Sequence, residues 1–102
     1  MNIRYEINPK LTVDDFIDVI DRSTLGLRRP LDNREDMQMM LDLGNYYIAA
    51  FHDDKLVGLA RAMTDFVYTT YLSDLAVDEK YQHQGIGKTL LFMMKEQIPK
   101  AK

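Results

Sequence analysis

Apolar and polar positions alternate at the N-terminus, and a helical period follows. Ile3, Tyr5 and Ile7 alternate with polar residues, which predicts a strand over residues 2–8. Thr12 then has the side chain of a helix N-cap. Apolar residues next recur at the spacing i, i+3, i+4, i+7 of one helix face, which predicts a helix over 13–22. These residues are Val13, Phe16, Ile17 and Ile20.

A second, shorter helix is predicted after a basic linker at 22–31. Asp32 and Glu35 have the D-x-x-E spacing that often begins a helix. An apolar stripe follows them, and Gly44 is a suitable C-terminal stop.

From Asn45 the period changes to two, which indicates strands. Three are predicted, over 46–51, 56–63 and 67–77, and the short turns between them favour an antiparallel meander. A last helix begins near Ile86 and is expected to end at Pro99. The predicted order is β-α-α-β-β-β-α, a mixed α+β fold with helices flanking an antiparallel sheet.

The middle strand of the meander is expected to separate large residues from small ones. Val57, Leu59 and Met63 fall on one face together with Arg61, so this face is predicted to be partly wet. The other face carries the small residues Gly58, Ala60 and Ala62.

Composition narrows the classes of protein and site. The 102 residues are enough for one domain, and the absence of cysteine excludes disulfides, thiolate metal sites and a thiol nucleophile. His52 and His83 lack metal-ligand spacing, so no metal is expected. The longest apolar run, 46–51, is too short for a membrane span, and no apolar signal core follows Met1. The net charge of -3 does not favour nucleic acid, so a cytoplasmic protein without nucleic-acid or membrane partners is expected.

Charge is unevenly distributed along this acidic chain. Residues 80–102 carry five lysines and one glutamate. Two interpretations remain open, a solvated lysine-rich helix end or a segment that holds an anion.

A glycine-rich loop at 82–89 begins the last predicted helix and favours the anion. Unpaired N–H groups at a helix N-terminus form a natural phosphate site. Gly85 and Gly87 let the backbone approach a ligand closely, while Lys80 and Lys88 add positive charge. The alternative is an ordinary glycine turn at a helix start.

Two known loops share part of this sequence. Gly87, Lys88 and Thr89 match the end of a P-loop, but that motif requires glycine where Gln82 stands, and the P-loop fold requires alternating strands and helices. Gln82-x-x-Gly85-x-Gly87 more closely resembles the Q/R-x-x-G-x-G/A loop of the GNAT superfamily of acyl-CoA N-acyltransferases. Residues 71–81 resemble that family's fourth strand and its exit, and the element order agrees over nearly the whole chain.

The resemblance implies acetyl-CoA as co-substrate. Five consecutive main-chain N–H groups would hold its pyrophosphate, those of Gln84, Gly85, Ile86, Gly87 and Lys88. Gln82 and His83 would flank the phosphates and Thr89 would add a hydroxyl, although His83 is equally well explained as an exposed loop residue. Backbone groups of three strand residues would pair with the pantetheine arm, those of Leu75, Ala76 and Val77.

The implied reaction is transfer of the acetyl group from the thioester to a primary amine. A backbone N–H near Ala76–Val77 would polarise the carbonyl, and Asp74 is the candidate base, with Glu79 a weaker one. Asp74 is equally a candidate for a structural carboxylate at the strand end, and proximity of the reactants alone can supply much of the rate.

Candidate residues for the amine side are arginines of the linker and strand tyrosines. The arginines suit an acidic or phosphorylated substrate, although a solvated linker and packed tyrosines explain the same residues. They are Arg28 and Arg29, with Arg22 beside them, and Tyr71, with Tyr47 and Tyr68.

The chain departs from the family at its C-terminal end. The family continues with a fifth strand, a helix and a hairpin, so residues 1–102 are expected to form a single domain truncated after the cofactor-binding helix. The strand at 67–77 would then have an open edge, covered either by a second copy in a homodimer or by a longer natural polypeptide. A non-catalytic acyl-CoA-binding or interaction module is the alternative function.

Overall fold

The computed structural model describes residues 2–98. Four strands and three α-helices follow one another in the predicted order β-α-α-β-β-β-α, which confirms the α+β fold class. They are β1 (Ile3–Ile7), α1 (Val13–Asp21), α2 (Arg34–Leu43), β2 (Tyr46–His52), β3 (Lys55–Thr64), β4 (Thr70–Val77) and α3 (Ile86–Gln97). Two short 3₁₀ helices lie at Thr24–Arg28, inside the predicted linker, and at Glu79–Tyr81, after β4. The predicted stop at Pro99 lies outside the described residues.

The strands form one antiparallel sheet in the order β1-β2-β3-β4, and helices pack on both of its faces. On one face, Ile86, Leu90 and Met94 of α3 pack against the sheet. On the other, Phe16 of α1 and Met37 of α2 lie in the second buried cluster. The sheet is therefore the middle of three layers, and β4 is one of its edges. No helix within residues 2–98 is long and apolar enough to cross a membrane.

Capping residues determine where the first two helices begin. Thr12 and Asp15 form a reciprocal capping box at the start of α1, with hydrogen bonds of 3.1 and 3.0 Å. At α2 the N-cap is Asn33, whose side chain accepts the N–H of Asp36 at 3.1 Å. The helix start predicted from Asp32 and Glu35 is thus wrong by one residue. The adjacent Asp32 and Asn33 both have side chains that can cap a helix, and Asn33 is the one that does.

The predicted face of Val57 is wrong. A register shift between Ala50 and Phe51 inserts an extra residue into β3, which changes the face of the side chains before it. Val57 therefore lies in the α3-side cluster, whereas Leu59 lies in the opposite one. Gly58 matters here as a close contact, because an added Cβ would lie 3.0 Å from Cγ2 of Ile86. Helix α3 thus sits directly on β3.

The face that carries Arg61 is dry at Arg61 itself but not at Met63, which is 36% exposed. Arg61 is only 3% exposed, because its guanidinium pairs with the buried Asp74 of β4 instead of with water. A hydrophobicity pattern assigns a lone arginine to solvent unless a partner across the sheet is known.

Strand β4 begins later than predicted. The Oδ1 of Asp65 accepts the N–H groups of Val67, Tyr68 and Thr69 at 2.9, 2.8 and 3.0 Å, so these residues form a loop around the carboxylate. Their β-branched and aromatic side chains suggested a strand, but the side-chain hydrogen bonds of Asp65 override that preference.

Candidate functional site

Unpaired main-chain donors mark the N-terminus of α3. Its N-cap, Gly85, has a left-handed backbone with φ of 82°, and no side chain caps the helix. The first helical hydrogen bond runs from the N–H of Thr89 to the carbonyl of Gly85 at 3.0 Å. Within residues 2–98, no acceptor is bonded to the N–H groups of 84–88. These groups therefore remain available to an anion, at the positive end of the helix dipole.

A cleft of about 480 Å³ opens in front of these donors. It lies between the edge of β4 and the start of α3, so the glycine-rich loop and the strand face one space. Its lining residues are Thr24, Leu75, Val77, Tyr81, Gln82, His83, Gly85, Ile86, Gly87 and Lys88. Eight of these were predicted as cofactor-binding residues from the sequence, all except Thr24 and Tyr81.

Three predicted residues do not line the cleft. Ala76 is 1% exposed. The hydroxyl of Thr89 donates to the carbonyl of Gly85 at 2.9 Å, which engages it within its own helix. Gln84 is exposed on the loop outside the cleft lining, and its predicted contribution is a main-chain N–H.

The open edge of β4 presents alternate residues. The N–H of Asp78 donates to the carbonyl of Val57 in β3 at 2.8 Å. Because the inward and outward backbone groups of an antiparallel strand alternate, the groups of Ala76 point to β3 and those of Leu75 and Val77 point outward. The predicted pairing of Ala76 with a ligand is therefore wrong. Gln82 already donates its Nε2–H to the carbonyl of Val77 at 3.4 Å.

Thr24 and Tyr81 are the cleft residues that sequence reasoning missed. Thr24 comes from the 3₁₀ helix between α1 and α2, far away in sequence. Tyr81 has its phenolic oxygen 2.7 Å from Nδ1 of His52, at the end of β2. Neither position carries a local sequence signal, because only the tertiary fold brings it to the cleft.

Asp74, the candidate base, is buried in an ion-pair network. Its Oδ1 accepts hydrogen bonds from Nε and Nη2 of Arg29, at 2.9 and 2.6 Å, and its Oδ2 accepts one from Nε of Arg61. The residue is 1% exposed. Both oxygens are thus engaged with guanidinium groups, and the geometry gives Asp74 no free oxygen with which to take a proton from an amine.

The predicted amine-side residues lie in different settings. Arg29 is committed to Asp74 and to the carbonyl of Ser73 at 3.1 Å, so its guanidinium is not available to a substrate, contrary to expectation. Arg28 is exposed, and within residues 2–98 its side chain makes no hydrogen bond. Tyr71 is 63% exposed on β4, and Tyr68 lies in the preceding loop. Tyr47 is packed, with its hydroxyl donating to the carbonyl of Leu41.

A second buried aspartate lies where β4 ends. Asp78 is 2% exposed, accepts the N–H of Lys80 at 2.9 Å and pairs with the guanidinium of Arg22. Burial by itself raises the pKa of Asp78, but the hydrogen bonds from Lys80 and Arg22 lower it, and the net pKa lies below its usual value. Arg22 is therefore structural and not a substrate ligand.

The remaining charged candidates lie beside the cleft. Glu79 and Lys80 are exposed and line a neighbouring groove together with Lys55. Among residues 2–98, no three His, Cys, Asp or Glu side chains are grouped as a metal ion would require.

Comparison with known proteins agrees with this geometry. A curated relative, GCN5-related N-acetyltransferase 2, chloroplastic, from Arabidopsis thaliana, is 44% identical over 39 residues, which are 38% of this chain and 15% of that protein. The chain therefore spans a small part of the length of this curated relative.

Solved structures share the fold. A GNAT family acetyltransferase from Streptococcus pneumoniae superposes with a TM-score of 0.77 at 24% identity, covering 98% of this chain and 70% of that one. The PaiA N-acetyltransferase from Thermoplasma acidophilum, solved in complex with coenzyme A, gives a TM-score of 0.68 at 20% identity, covering 98% of this chain and 74% of that one. The model of the Acetyltransferase (GNAT) family matches residues 13–101. With its fold, its glycine-rich loop and this match in agreement, the chain belongs to the GNAT family of acetyltransferases.

Proposed function

We propose that this chain binds acetyl-CoA and transfers its acetyl group to a primary amine. The observation that carries the proposal is the set of unpaired N–H groups at 84–88, which converge on a cleft lined by Gly85 and Gly87. Such donors suit a diphosphate, and Lys88 adds a positive charge beside them. The coenzyme A complex of the Thermoplasma protein supports the same ligand class here.

The edge of β4 suits the pantetheine arm. Pantetheine contains amides that need partners when they leave water, and the outward backbone groups of Leu75 and Val77 supply them in the manner of an added strand. With the diphosphate at α3, the arm runs back along β4 toward Asp74 and brings the thioester to that end of the strand.

The reaction requires a neutral amine beside the thioester. The amine nitrogen forms a bond to the carbonyl carbon, the carbon–sulfur bond breaks, and the departing thiolate takes up a proton released by the nitrogen. An outward N–H of β4, at Leu75 or Val77, is suited to polarise the carbonyl. We assign no base, since holding the two reactants together accounts for a large part of such a rate. Arg28 and Tyr71 remain our candidates for contacts with the amine substrate.

Titration calorimetry with coenzyme A tests the phosphate site. Gly87→Asp places a carboxylate next to the N–H groups, so we expect its affinity to fall by at least about tenfold. Gly87→Ala separates added bulk from added charge, because within the chain its Cβ would meet only Cγ2 of Val77, at 3.6 Å. Equal affinity of wild type and Gly87→Asp would contradict the proposal.

A non-catalytic acyl-CoA-binding module is the second candidate. The observation that favours it is the full engagement of both Asp74 oxygens. Amine-dependent release of free thiol from acetyl-CoA separates the two, and a chain without cysteine gives a thiol reagent no background. Release with none of a panel of primary amines, together with intact coenzyme A binding, would favour the module.

Two further expectations remain predictions. The cytoplasmic setting rests on composition, through the lack of cysteine. The homodimer rests on the open edge of β4.

A further inference from the structure

Two arginine–aspartate ion pairs hold one segment of the chain against β4. We define the bridging segment as residues 22–29, between α1 and α2. At its start, Arg22 pairs with Asp78, and the carbonyl of Arg22 also accepts the N–H of Glu79 at 2.9 Å. At its end, Arg29 pairs with Asp74. The segment is therefore attached to β4 at one position and just beyond its end at another.

One residue between these attachments, Thr24, lines the cleft. Ser23 is 5% exposed, donates its hydroxyl to the carbonyl of Ile20 at 2.7 Å and accepts the N–H of Leu25 at 3.1 Å. This fixes the start of the 3₁₀ helix, whose first residue, Thr24, lines the cleft opposite the glycine-rich loop. Thr24 is thus held at the α1 end of the bridging segment, and the Arg29–Asp74 pair holds the other end.

Asp74 connects the bridging segment to the rest of the molecule. Its other guanidinium partner, Arg61, also donates to the carbonyl of Met40 in α2 and to the hydroxyl of Ser73, both at 2.9 Å. Ser73 is the residue that β4 gains at the register shift opposite Arg61 and Ala62. Helix α2, strand β3, the irregular part of β4 and the bridging segment therefore meet at a single buried carboxylate.

We propose that Asp74 is a positioning residue that acts through Arg29. The pair fixes the Arg29 end of the bridging segment beside Asp74, the end of the site to which the proposed function brings the thioester and the amine. This assignment rests on the proposed function for the identity of the cleft's ligands. The N–H groups at 84–88 lie around the start of α3, and within residues 2–98 no hydrogen bond joins them to the network, so loss of the pair affects the amine side and leaves the phosphate site intact.

Arg29→Gln tests the proposal, because it removes the charge from the partly exposed member of the pair and leaves the buried Arg61–Asp74 pair in place. Hydrogen exchange of the intact chain is the first measurement. We expect main-chain amides of 24–29 to exchange at least about tenfold faster than in wild type, with β2 unchanged. Arg28→Gln is the matched control, an adjacent exposed arginine whose exchange pattern stays that of wild type. Unchanged exchange at 24–29 in Arg29→Gln would overturn the proposal.

Kinetics separate positioning from a general loss of structure. With the primary amine that the wild type acetylates fastest, we expect Arg29→Gln to raise the KM for the amine about tenfold and to change coenzyme A affinity less than about twofold. Arg29→Lys keeps the positive charge but cannot donate from two nitrogens to Asp74, as Nε and Nη2 of Arg29 do. It should therefore raise the KM for the amine less than Arg29→Gln does. An equal loss of coenzyme A affinity would contradict the role. If the wild type binds no coenzyme A, the proposed function fails, while the exchange measurement still decides whether Asp74 positions the segment.

Discussion

At the scale of single residues, the most consequential group is the carboxylate of Asp74, which sequence reasoning left open between a base and a structural role and which the structure engages in ion pairs. Asp74 and Arg61 are 1% and 3% exposed and face each other across β3 and β4. Removing one member of a buried pair costs far more than the pair itself contributes, because the remaining charge is left in a dry interior.

Asp74→Asn should therefore destabilise the protein by about 3 kcal/mol or more, since Arg61 would remain buried without its counter-charge. Urea unfolding followed by circular dichroism measures the change. Glu35→Gln, an exposed residue of α2, provides a control that should remain close to wild type. A loss at Asp74 as small as that of the control would show that the network contributes little.

Replacing either of two loop glycines by alanine should change the free energy of unfolding, in opposite directions at the two positions. Gly85 has φ of 82°, and an added Cβ would meet nothing within 4 Å, so Gly85→Ala should cost roughly 1–2 kcal/mol from backbone conformation alone. Gly87 is helical with room for a methyl group, so Gly87→Ala should stabilise the chain by up to about 1 kcal/mol. Both values follow from urea unfolding, and a shared sign would contradict the assignment.

At the scale of elements, caps and ion pairs hold the connections around β4. Asp78 accepts the N–H of Lys80 in the 3₁₀ helix of Glu79–Tyr81 and pairs with Arg22 after α1, so one carboxylate ties two connections together. Its lowered pKa makes this role dependent on pH.

Asp78 should stabilise the fold only where it is ionised. Because its folded pKa lies below the usual 3.8, its contribution is fully present above that value and is lost as pH falls through the folded pKa. The difference in unfolding free energy between wild type and Asp78→Asn should be largest near about pH 7 and shrink below about pH 4. Asp54→Asn, at an exposed turn residue, is the control. A difference that is constant with pH would rule out this linkage.

Local patterns predicted the order of elements because each depends on near neighbours. The stripe of α1 and the change to period two at Asn45 need no tertiary information. Three features could not be predicted from the local period. They are the register shift that puts Val57 on the opposite face, the loop around Asp65 that makes β4 begin later, and the pairing of Arg61 with Asp74. The glycine-rich loop and the helix start behind it were predictable because their residues are contiguous, whereas Thr24 reaches the cleft only through the tertiary fold.

At the scale of the whole molecule, helices cover both faces of the sheet, and β4 is an edge strand that no neighbouring strand within residues 2–98 covers. The edge of β4 around the exposed ring of Tyr71, apart from the groups of Leu75 and Val77 that we propose for pantetheine, is one that another strand can join. If a second copy pairs there, light scattering should give twice the chain mass. Tyr71→Lys should then yield monomers, because a charged edge resists pairing. A wild-type monomer at all concentrations would exclude the homodimer.

The anion site that we propose at the start of α3 is built mainly from peptide nitrogens. Substitutions at Gln84 or Lys88 that preserve the helical turn would leave every one of those nitrogens in position. An alanine substitution of Gln84 or Lys88 would therefore remove a side chain, and at Lys88 a charge, while the peptide donors stay in place. Changes of backbone shape at Gly85, or of bulk and charge at Gly87, would act on the donors themselves.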